Sequence, residues 1–64
     1  MPAQWTAEIV GQLHAHRIKQ ADLAAYLGWS AEWLSAILNG RREPKNAEQT
    51  VRAALAELIA EREQ

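Results

Sequence analysis

Five cations bracket one short stretch of this chain. Arg17 and Lys19 stand just before residues 20–40, and Arg41, Arg42 and Lys45 stand just after. Guanidinium and ammonium groups bind anionic oxygens, and arginine holds a phosphate through paired N–H donors. The other reactive residue types offer little. There is no cysteine, which excludes a thiolate nucleophile, a disulfide and a thiolate metal site. His14 and His16 are two residues apart, so on a helix they point to different sides and make a poor metal pair. They suit the negative end of a helix better. No paired carboxylate suggests a cleft, and no glycine-rich phosphate loop is present. A chain of 64 residues also leaves little room for an ordinary pocket. The expectation is a protein that is not an enzyme, with no cofactor, no metal and no small-molecule substrate.

The stretch between the cations, QADLAAYLGWSAEWLSAILNG, reads as two short helices joined by a tight turn. Leu23 and Leu27 are one helical turn apart and share a face. Gly28 stops the first helix, because glycine takes a left-handed backbone without a Cβ penalty. Ser30 is a good N-cap for the second helix. Leu34, Ile37 and Leu38 then form an apolar stripe at i, i+3 and i+4. Ala24 is small enough to let the two helices approach. Asn39-Gly40 supplies a second glycine stop.

This is the helix-turn-helix pattern, in which the second helix is presented to a DNA major groove. Counted from Gln20, the pattern needs a small residue at its fifth position and glycine at its ninth. It needs apolar residues at the fourth, eighth, tenth, fifteenth and eighteenth. Ala24, Gly28, Leu23, Leu27, Trp29, Leu34 and Ile37 fill all of them. The stretch resembles the Cro/C1-type (XRE) helix-turn-helix of phage repressors, and the resemblance extends from about Trp5 to Ile59. It implies an all-α, compact domain of four to five helices, lambda-repressor-like, with the motif at its centre. It also implies phosphate contacts from Gln20 at the start of the first motif helix and from Asn39 before the glycine. Lys19, Arg41, Arg42 and Lys45 flank these positions and complete the expected phosphate-contact set.

The face opposite Leu34, Ile37 and Leu38 holds Ala31, Glu32, Ser35, Ala36 and Asn39. In the resembled family the positions of Ala31, Glu32 and Ala36 often touch base edges, frequently through amides. This chain departs from that. Alanine meets only a thymine methyl, and Glu32 accepts from cytosine N4 while repelling phosphates. Ser35 is a permissive donor or acceptor. With no arginine or glutamine for a bidentate base contact, affinity per monomer is expected to be low. Specificity would then need a homodimer or a partner protein.

The flanking segments supply the rest of the core. Met1 to Gln4 reads as a lead-in. Trp5, Ile9 and Leu13 are spaced by four, so a first helix presents one stripe. Thr6 caps that helix, with Trp5 and Val10 as a hydrophobic staple, or else the helix starts near Ala3 and encloses Thr6. Gly11 weakens the helix and suggests a close helix contact. Ile18 is expected to enter the core, Tyr26 to cover its edge and Trp29 to join it. Core packing over the last helix is the expectation for Trp33, with DNA backbone or a protein partner as alternatives. Asn46 reads as an N-cap with Gln49 as its capping-box partner. A last helix follows over about 47–61, with Val51, Ala54, Leu55, Leu58 and Ile59 as its stripe. The pattern indicates one helix, where the resembled family commonly has two.

Net charge is −1, so the total does not mark a nucleic-acid binder, but its distribution leans that way. Residues 1–46 balance to +1 and residues 47–64 to −2. No apolar run approaches the roughly 20 residues of a membrane span. Absence of cysteine and of a signal-like N-terminus implies a cytoplasmic protein, in a bacterial host or encoded by its phage. The chain therefore reads as a single domain, 1–64, that binds double-stranded DNA and regulates transcription as a small repressor. The alternative is a protein-interaction module that keeps the fold without sequence-specific DNA binding.

Overall fold

The computed structural model describes residues 3–63; Met1 and Pro2 of the expected lead-in, and Gln64, lie outside them. The described residues form four helices and no strand: α1 (Gln4–Ala15), α2 (Gln20–Leu27), α3 (Ala31–Leu38) and α4 (Ala47–Arg62). α2 packs on α3 and α4, and α1 packs on the same two helices. The core between them collects Ile9 and Leu13 from α1, Leu23 and Ala24 from α2, Leu34 and Leu38 from α3, and Val51, Leu55 and Leu58 from α4. Ile18 enters it from the α1–α2 turn. Trp5, Leu27, Trp29 and Ile59 pack on its margin, half-buried. Each stripe read from the sequence therefore faces inward, although Trp29 rims the core rather than filling it. No helix is long and apolar enough to cross a membrane.

Three helix ends close by the same pair of hydrogen bonds. Ile18 N–H donates to Leu13 O at 2.8 Å and Arg17 N–H to His14 O at 3.2 Å. Trp29 N–H reaches Ala24 O at 2.9 Å and Gly28 N–H reaches Ala25 O at 3.1 Å. Arg41 N–H reaches Ala36 O at 2.9 Å and Gly40 N–H reaches Ile37 O at 3.1 Å. These are Schellman closures, which need one left-handed residue and satisfy two otherwise orphaned carbonyls. Gly28 (φ 76°) and Gly40 (φ 79°) fill that place as expected. At the end of α1 the place is filled by Arg17 (φ 56°).

The helix starts are mixed. Ser30 Oγ accepts from Trp33 N–H at 3.1 Å, so α3 has the expected cap. At α2, Lys19 holds the cap position and its N–H donates to the Asp22 carboxylate at 3.4 Å. α1 begins at Gln4, with Thr6 inside it; the hydroxyl donates to Ala3 O at 2.6 Å. The Thr6 cap and the Trp5–Val10 staple are thus corrected in favour of the earlier start, and Val10 is exposed. The capping box at α4 is also corrected. Asn46 precedes α4 but is left-handed (φ 67°), and its side chain accepts no hydrogen bond from the helix. A cap oxygen reaches the third N–H from extended backbone, and asparagine here contributes its tolerance of φ > 0 instead. α4 then runs unbroken to Arg62, one residue past the expected end.

Gly11 does not mark a close contact. It is exposed, and nothing lies within 4 Å of where a Cβ would be. Gly11→Ala is therefore expected to stabilise the fold by about 1 kcal/mol, since only the helix penalty of glycine is removed. A thermal melt followed by circular dichroism checks it; an unchanged or lower midpoint would contradict the open surroundings seen here.

Ion pairs tie α4 to α1 and α2. Arg52 bridges Glu48 on its own helix at 2.8 Å and Glu8 on α1 at 2.7 Å. Those two carboxylates raise the Arg52 pKa further, chiefly through the hydrogen bond that Arg52 donates to Glu8. Arg62 reaches Asp22 on α2 at 3.3 Å. His16 Nδ1 lies 3.9 Å from the Glu63 carboxylate. Tyr26 on α2 is exposed and lies near Glu57 and Glu61 of α4. A hydrogen bond to the Glu61 carboxylate, with the nearby Glu57 charge, pushes its phenol up to about 12.

Candidate functional site

The outer side of α3 and the loop after it bring four of the expected site residues together. Glu32 and Ala36, one helical turn apart, line a shallow hollow with Arg41 and Arg42. The Schellman closure causes this. Gly40 reverses the chain so that Arg41 N–H folds back onto Ala36 O, and Arg42 N–H reaches the same carbonyl at 3.3 Å. Both arginines are thereby set beside the second turn of α3 instead of trailing from its end. Both side chains are exposed.

The other base-facing candidates differ in access. Ala31 and Glu32 are exposed, whereas Ser35 and Ala36 are half-buried. Ser35 is engaged: the Asn39 amide donates to its hydroxyl at 3.1 Å and to its carbonyl at 2.9 Å. Through these two bonds Asn39 acts as a C-terminal cap of α3 in the free protein. Lys19 and Gln20 form the exposed start of α2. Lys45 is exposed in the loop after Pro44, outside the hollow.

Trp33 corrects the expectation of core packing. It is 39% exposed. It precedes Leu34 by one residue, about 100° around the helix, and lies outside the core cluster in which α4 takes part. A second groove of about 510 Å3 runs between the start of α1 and the first turn of α4, with Trp5, Pro44 and Gln49 among its walls. Arg42 contributes to this groove as well as to the hollow.

The charges sort by position. Arg52 and Arg62, on α4, are both held in ion pairs. Among the described residues, Arg17, Lys19, Arg41, Arg42 and Lys45 make none. The free cations are therefore those on either side of α2 and α3, and the acidic side chains of α4 are partly neutralised within the fold. Residue type does not mark the left-handed backbone at Arg17. Its only marker is the five-residue spacing of Leu13 and Ile18, which a Schellman closure brings together. No protein-family model, no curated protein and no solved structure matches this chain.

Proposed function

We propose that this chain is a small DNA-binding transcriptional regulator of the Cro/C1-type (XRE) helix-turn-helix kind. In this reading it has a lambda-repressor-like fold and acts as a repressor in a bacterial cytoplasm. α2 and α3 form the motif, and α3 enters the major groove by the side that carries Ala31, Glu32 and Ala36. Arg41 and Arg42 hold the phosphates beside it, with Lys19, Gln20 and Lys45 on the flanks. The sorting of the cations carries this reading: five free cations border the two motif helices, while the two arginines of the acidic last helix are consumed by internal pairs. Unpaired, exposed cations are the groups that displace counterions from a phosphate backbone. A symmetric dimer would present two α3 helices about 34 Å apart to a two-part operator.

The test is binding to a randomised duplex library, read by fluorescence anisotropy across a salt series, with the bound fraction sequenced. Salt-dependent binding and an enriched two-half-site sequence are expected. Salt-dependent binding without enrichment would leave phosphate contacts and remove the specific regulator. No binding at low salt would sink the DNA reading. The exposed Trp33 favours a second reading in that case, a protein-interaction module, because a solvent-facing tryptophan is a common interface anchor.

A further inference from the structure

Resting on the DNA reading above, the geometry points to Arg17 as a further phosphate contact, on the α2 side of the interface. The three Schellman closures provide the comparison. Two of them put glycine in the left-handed place; the third puts Arg17 there at φ 56°. An L-residue with a Cβ is disfavoured in that conformation, and glycine or asparagine would make the same turn more easily. Arginine thus contributes nothing to the turn as a conformation. The fold does not hold its side chain either. Arg17 is exposed and, among the described residues, its guanidinium makes no ion pair and no hydrogen bond. Eight acidic residues in the chain leave it alone, whereas Arg52 and Arg62 find partners. The closure holds the Arg17 backbone through its N–H to His14 O, and the guanidinium carried there is left for an external group.

Its setting fits an anionic partner. The backbone is pinned on both sides, by Leu13 before it and by Ile18 after it, both buried. The side chain therefore starts from a fixed point, two residues before Lys19, and the two cations straddle the buried Ile18. Along the chain, the exposed cations thus stand in the turn before α2 as well as in the loop after α3.

The experiment uses the full chain with Arg17→Gly and Arg17→Lys, a DNA duplex at several salt concentrations, and a thermal melt of each variant. Arg17→Gly is expected to raise the melting midpoint by about 2–6 °C, because the left-handed strain is relieved against a looser unfolded chain. The same variant is expected to weaken DNA binding and lower the salt slope by about 1. Arg17→Lys is expected to keep the slope. Stability and affinity thus move in opposite directions. If the wild type binds DNA and Arg17→Gly binds with unchanged affinity and slope, Arg17 is a turn residue and no more. If Arg17→Gly lowers both the midpoint and the affinity, its role is structural and the inference is overturned. If the wild type itself does not bind at low salt, the DNA reading fails first and this contact falls with it.

Discussion

Leu34→Ala is expected to take away most of the stability of this protein. Leu34 is fully buried, in a core built from one stripe of each of four short helices. Truncating such a leucine costs about 2–5 kcal/mol, the lost transfer energy plus a cavity that its neighbours only partly fill. A domain of this size rarely has more than about 3–5 kcal/mol to lose. The melting midpoint should drop by roughly 10–25 °C, or no cooperative transition should remain. Val10→Ala supplies the contrast. Val10 is as apolar but 41% exposed on α1, and its truncation should stay within about 0.5 kcal/mol of wild type. Circular dichroism melts of both variants decide it. Similar small shifts in the two would mean that α3 is not seated by Leu34.

How much of this was legible beforehand depended on how local each cause was. The inward stripes followed from spacing alone, because a helix carries its i, i+3 and i+4 positions on one side whatever it packs against. The turns at Gly28 and Gly40 were legible for the same reason, since glycine marks a positive φ by itself. Arg17 and Asn46 adopt the same backbone region without that marker. Tertiary closure accounts for it at Arg17, where the Schellman bonds bring Leu13 and Ile18 together and both are buried in the core. Trp33 was illegible because its burial depends on which neighbour covers that side of α3, and none buries it. The pairing of charges was also hidden. Arg52 and Arg62 look no different in sequence from Arg41 and Arg42, and only the approach of α4 to α1 and α2 gives them partners.

That pairing gives the sharpest functional expectation. Arg41→Ala together with Arg42→Ala should leave the fold intact, because neither guanidinium is used inside it, and should weaken DNA binding on the order of tenfold per lost contact. The salt slope should fall by about 2, one unit for each phosphate released. Arg52→Ala would remove as much positive charge per residue, but it breaks the Glu8 and Glu48 pairs. It should mainly affect stability, and only slightly, because both pairs are exposed. Net charge alone would predict equal losses of affinity per arginine, so the comparison separates placement from charge. Glu32 shares the hollow with Arg41 and Arg42, and it tests the same placement with the opposite sign. Glu32→Gln should raise affinity for unselected DNA by relieving repulsion from the phosphates. It should also relax any preference for cytosine at one position of each half-site, because the amide no longer acts only as an acceptor. A double arginine variant with an unchanged slope would place the hollow away from DNA, and a Glu32→Gln variant with unchanged affinity and sequence preference would place it there independently.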